Sequence, residues 1–162
     1  MAETDQQDAG TAGVIMRPPL LYLACLGIGL ILDYLVPLPF SLLGSGVVSW
    51  AAGGSLILAG LATAVVAFRN FSRAGTPVPT NRPVRSLVTS GIHGWTRNPI
   101  YVGMFAIYIG IGLALPSPWI LVLTVPLAII MRYGVVAREE AYLGRRFGVA
   151  YHDYQTRVRR WL

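Results

Sequence analysis

NPIYVGMFAIYIGIGLALPSPWILVLTVPLAIIMR, residues 98–132, decides the fold. No charged residue lies between Asn98 and Arg132. About 20 apolar residues at 1.5 Å rise match the ~30 Å hydrocarbon thickness of a bilayer. The stretch therefore reads as two membrane spans, 99–115 and 119–136. Pro116-Ser117-Pro118 between them is too short for anything but an antiparallel helical hairpin. Pro126 is expected to kink the second arm and to open a lateral entrance from the bilayer there. A tight hairpin also sets the start of its first arm beside the end of its second. Asn98 and Tyr101 are thus expected near Glu139 and Glu140.

Two more apolar blocks precede this one, at 20–36 and 47–68. Pro18 and Pro19 open the first, as suits a helix's first turn. Asp33 falls near its far end and reads as an interfacial residue. Gly53, Gly54 and Gly60 in the second, and Ala106, Gly110 and Ala114 in the third, suggest helices that approach closely. The fold class is all-α integral membrane, with about four transmembrane helices forming one domain over residues 1–162. Residues 1–16 read as a flexible tail. A cytoplasmic amphipathic tail is expected after the last span, to Leu162.

Composition agrees. The chain is 54% hydrophobic and 12% charged, with mean hydropathy +0.58, too little charge for a soluble domain of 162 residues. All 13 basic residues are Arg, against seven acids. Nucleic-acid binding would be the first thought for such a basic chain. Instead the Arg residues fall between and after the apolar blocks: five in 69–98 and seven from Arg132 onward. That is the pattern of cytoplasmic loops, so both termini and the 69–98 connection are expected on the cytoplasmic side, with no nucleic-acid partner. One cysteine, Cys25, and two distant histidines give no metal site.

The cytoplasmic base of the hairpin collects chemistry. Arg85 and Arg97 offer guanidinium forks suited to a carboxylate, and the first turn at Pro99 favours an anion. Glu139 and Glu140 can take an ammonium group or ribose hydroxyls. Tyr101, His93 and Trp95 offer aromatic faces to a flat base or a cation. S-adenosylmethionine has all of these parts. Each residue also has a plainer role: Arg85 and Arg97 as positive-inside anchors, Tyr101 and Trp95 in an interfacial belt, and the glutamates paired along their helix with Arg132, Arg145 or Arg146.

Leu87-Val88-Thr89-Ser90-Gly91, then Arg97-Asn98-Pro99-Ile100-Tyr101-Val102-Gly103, resembles the loop of the isoprenylcysteine carboxyl methyltransferases. Glu139-Glu140, Leu143, Phe147-Gly148, Tyr151 and Tyr154 resemble that family's C-terminal motif, which phospholipid methyltransferases share in part. The likeness covers about residues 75–162. It implies S-adenosyl-L-methionine as cofactor, held by Arg85, Ser86, Leu87, Val88, His93, Asn98, Pro99, Ile100, Tyr101 and Glu139. His93 stands where the family often has Tyr, and Asn98 where it often has His. The substrate-linked Arg of the eukaryotic enzymes is Val135 here. Arg132, Arg138 and Glu140 are the substitutes considered for substrate contact.

The activity so implied is methyl transfer to a lipophilic acceptor at a bacterial inner membrane, from a site facing the cytoplasm. No general base stands out. Carboxylate O- or thiol S-methylation is therefore favoured over phospholipid N-methylation, whose amine must first lose a proton. Other readings are an NADPH-dependent sterol-reductase-like enzyme and a small transporter or structural membrane protein. Oligomeric state is open.

Overall fold

A computed structural model describes residues 12–39, 46–78 and 83–162. Among these residues every regular element is helical. Helix α1 spans Pro18–Leu35, α2 Gly46–Arg73, α3 Pro99–Ala114 and α4 Pro118–Ile130. A π-helical segment, Met131–Val136, joins α4 to α5, Ala137–Phe147, and α6 follows at Val149–Arg157. A 3₁₀ turn, Gly91–Gly94, precedes α3. Three helical runs, Pro18–Leu35, Gly46–Arg73 and Pro118–Phe147, are long and apolar enough to cross a membrane. The fourth apolar helix, α3, has 16 residues, or ~24 Å at 1.5 Å per residue. The protein is an integral membrane protein of three to four spanning helices.

The α3–α4 hairpin forms as its sequence requires. Ser117 caps α4, its Oγ accepting from the Ile120 N–H at 3.0 Å, and the same hydroxyl donates to Asp33 of α1. The Trp119 indole N–H donates to the Val36 carbonyl at 2.9 Å, tying the same ends together. Asp33 thus has a partner at the end of the bundle remote from the arginines.

Helices α2 and α3 meet backbone to backbone at two glycine pairs, each pair seven residues from the other along both helices. A Cβ on Gly53 would lie 2.5 Å from the Gly110 carbonyl oxygen, and one on Gly60 would lie 2.5 Å from that of Gly103. Of the small residues expected at a helix contact, Gly53, Gly60, Gly110 and Ala114 serve it, whereas Gly54 faces nothing within 4 Å. Because the clash atoms are backbone, neither side can yield. Gly60→Ala is expected to destabilise by about 1–3 kcal/mol, read as a lower thermal midpoint in detergent; Gly54→Ala should leave it unmoved.

Pro126 stays within α4. The departure from α geometry comes five residues later, where the Ala137 N–H bonds back to the Arg132 carbonyl. There the chain's beginning docks: the Ile15 N–H donates to Gly134 O at 3.2 Å, and Arg138 donates to Gly13 O at 2.8 Å. Of the expected tail, 1–11 lies outside the described residues, while Ala12 is buried against Val84 and Tyr142.

The end of the chain folds back as well. Gly148, at φ +53°, breaks α5 from α6 in a conformation that disfavours a side chain. Beyond α6, residues 158–162 return to the start of α3. The Arg97 N–H donates to Arg159 O at 2.9 Å, and Asn98 Nδ2 donates to Arg160 O at 2.9 Å. The expected amphipathic tail is therefore a strap closed over the hairpin base.

Candidate functional site

At that base lies a cleft with about 630 Å³ of atom-free space, part of it open to solvent. Nine of the ten residues carried over by resemblance line it: Ser86, Leu87, Val88, His93, Asn98, Pro99, Ile100, Tyr101 and Glu139. Arg85 does not. Its side chain is exposed, and its backbone N–H donates to Thr76 Oγ1 at 2.8 Å, which shapes the loop.

Tyr101 and Glu139, on opposite arms of the hairpin, meet directly: the phenol donates to Glu139 Oε1 at 2.7 Å. Both are buried, at 5% and 4% exposure. Glu140, the next residue, turns to a different set of partners. Its Oε1 accepts from Arg97 Nη2 at 2.8 Å, and its Oε2 from Arg160 Nη2 at 2.6 Å. The pairing along the helix with Arg132, Arg145 or Arg146 is replaced by a clasp between three segments. Arg97 Nη1 further donates to the Gln155 and Val158 carbonyls, both at 3.0 Å. The fork of Arg97, expected to face a ligand carboxylate, thus binds the protein itself. Its Nε, buried, has no hydrogen-bond partner among the described residues.

His93 is held from three sides. Its carbonyl accepts from Tyr154 Oη at 2.6 Å; burial pushes that phenol up to about 12, so it remains a donor. The Phe71 ring stands edge-on to the imidazole at 4.8 Å. Asn70 Nδ2 donates to Ser90 O at 3.1 Å and lies 3.4 Å from His93 Nδ1. Because the amide nitrogen is the donor, Nδ1 is the acceptor and the ring proton sits on Nε2. Nε2 is buried in the wall of the cleft, without a partner among the described residues.

Burial also lowers the His93 pKa from 6.5 to about 4, so the ring is neutral at pH 7. An unfolded chain takes up this proton near pH 6.5 and the folded chain only near 4. Stability present above pH 6.5 is therefore lost as pH falls through that window, by up to ~1.4 kcal/mol per unit. Thermal midpoints between pH 6.5 and 4.5 should show this slope, and His93→Gln should flatten it.

The remaining candidates lie elsewhere. Trp95 is 82% exposed, as suits an interfacial belt. Arg132 stacks over the Tyr133 ring at 5.3 Å, and Arg138 is exposed. Neither lines the cleft, and of the three considered for substrate contact only Glu140 does. Phe71, Val78, Val84, Leu143, Tyr151 and Tyr154 complete the wall. Tyr151, Tyr154 and Leu143 belong to the C-terminal motif, whose helical spacing marks one face. Phe71 and Asn70 carry no motif; continuing the helix beyond Phe68 is the signal that would have found them.

A family model described as phospholipid methyltransferase matches residues 48–150, from α2 through the start of α6. The chain belongs to this family. No curated protein and no solved structure matches it. The phospholipid methyltransferase match takes in every residue lining the cleft except Tyr151 and Tyr154. The family match covers both arms of the hairpin and the Glu139-Glu140 pair. It ends before Tyr151, so the strap and the Arg160 end of the clasp lie outside it.

Proposed function

We propose that the protein transfers a methyl group from S-adenosyl-L-methionine to a lipophilic acceptor, from a site facing the cytoplasm. The observation that carries this is a pair of buried donors in the cleft wall, His93 Nε2 and Arg97 Nε, without partners among the described residues, in a cleft that Glu139 also lines. Donors for a carboxylate or ring nitrogen and an acid for an amine or hydroxyls fit an amino-acid-bearing nucleoside. Bound there, the cofactor would supply an electrophilic methyl group.

The protein's own part is to position and to dry the site. Tyr101 fixes Glu139, Asn70 fixes His93 as a donor, and Leu87, Val88, Ile100 and Leu143 exclude water. Exclusion of water favours reactions in which charge is cancelled between an anion and a sulfonium, and positioning supplies much of the remaining rate. His93 Nε2 already carries a proton, so it is no general base. This supports an acceptor that arrives deprotonated, a carboxylate or thiolate. The family's description supports the second reading, N-methylation of a phospholipid, in which the Glu139 carboxylate would serve as the base that takes the amine's proton.

Radiolabelled methyl transfer from S-adenosylmethionine into a native membrane extract, with the product identified, tests the reading and separates the acceptors. Purified protein that neither binds S-adenosylhomocysteine nor labels any lipid would overturn it. For the orientation, in a Cys25→Ser background, Leu115→Cys should react with an impermeant thiol reagent outside intact cells, and Thr89→Cys should not.

A further inference from the structure

A second cavity lies in the part of the chain that the membrane bathes. Helices α1 and α3 flank a groove with about 590 Å³ of atom-free space, part of it open to the surroundings, walled by Leu23 and Leu26 on one side and by Met104 and Ile111 on the other. Leu23 is 62% exposed, so the groove faces the lipid. Its lining is apolar but for two phenols, Tyr22 and Tyr108, packed edge to face at 6.0 Å. They are 7% and 2% exposed, and neither hydroxyl has a hydrogen-bond partner among the described residues. Hydrocarbon offers no partner either, so a hydroxyl pair at this depth is kept only against a penalty.

The groove and the cleft share no lining residue, but both are walled by α3, the cleft at Ile100 and Tyr101 and the groove from Met104 onward. Tyr101, Phe105 and Tyr108 fall on successive turns of one face, and Met104, at the groove's near end, is one turn from Tyr101. Tyr108 lies seven residues from Tyr101, or ~10 Å along the helix. Between them Phe105 packs on Tyr22 at 5.2 Å and on Trp161 of the strap at 6.1 Å.

We infer that this groove holds the chain of the methyl acceptor, and that Tyr22 and Tyr108 donate to an oxygen on it. The inference rests on the methyltransferase reading. It specifies a lipid with an ester or hydroxyl oxygen about two helical turns below its methyl-accepting atom. It also moves lateral entry from the neighbourhood of Pro126 to the α1–α3 gap.

The test uses the full chain in nanodiscs and two photoreactive probes. One is a diacyl phosphatidylcholine with a diazirine in its acyl chain; the other is a diazirine-bearing hexadecane. The ester-bearing probe should crosslink to groove residues such as Leu26 and Met104, mapped by peptide mass spectrometry. Tyr22→Phe with Tyr108→Phe keeps both rings, and should cut that labelling about fivefold or more while hexadecane labelling stays level. Equal labelling of variant and wild type by the ester probe would overturn the proposal, since phenols serving packing alone predict that result. S-adenosylhomocysteine calorimetry on both proteins separates the two readings. Binding retained in the variant confines the effect to the groove, whereas no binding by the wild type overturns the methyltransferase reading and with it the acceptor as occupant.

Discussion

Glu140→Ala is expected to lower stability by about 3–5 kcal/mol, the usual consequence of stranding a buried charge. Two guanidinium groups converge on this one carboxylate, and the side chains of Arg97 and Glu140 are only 9% and 10% exposed. Removing the acid leaves two like charges facing each other, Arg97 buried and without its carboxylate and Arg160 30% exposed. In detergent the thermal midpoint should fall by about 10 °C. Adding Arg160→Leu to the variant should recover part of the loss, because one of the stranded cations is then gone. A midpoint equal to wild type in the single variant would show that the strap is not held by this charge pairing.

Glu139→Ala is expected to act differently, although the two residues are adjacent. The loss of a hydrogen bond to a charged group is worth about 1.5–3 kcal/mol, roughly ten- to hundredfold in affinity. That loss should fall on S-adenosylhomocysteine binding. Tyr101→Phe should weaken binding in the same direction, since the phenol orients Glu139 Oε1 from 2.7 Å. Calorimetry reads the affinity and a melting curve reads the fold. Unchanged affinity in both variants would place the cofactor elsewhere.

The contrast between these neighbours marks how far the sequence could be read. The hairpin was legible because two apolar runs flank Pro116-Ser117-Pro118, and from it followed the meeting of Tyr101 with Glu139 across some forty residues. Which acid would do which task was not legible. Glu140's partners come from Arg97 in the loop and Arg160 near the end of the chain, and nothing periodic links those positions. Arg160 reaches Glu140 only because Gly148 turns the chain back. Asn70 was hidden for another reason. Its helix runs to Arg73, more than a turn past the apolar block, because the 3₁₀ turn at Gly91–Gly94 packs on that end and gives Asn70 something to bond. Tyr22 and Tyr108 look like ordinary apolar-face aromatics in sequence. Their orphaned hydroxyls exist only once two helices are placed.

The π segment at Met131–Val136 has a consequence for counting. A stretch whose hydrogen bonds skip five residues holds one residue more than α geometry would, and each residue is worth ~100° of rotation. Everything downstream is therefore set out of phase with α4 by one position. Delete one residue there and the segment can close to α geometry, leaving Glu139 opposite Tyr101 and Glu140 before Arg97 and Arg160 although both acids have moved one place along the chain. A relative lacking the extra residue keeps the same site only if its acid pair stands one position nearer the hairpin turn. In aligning such chains, a single gap before the two glutamates would be a structural event rather than noise.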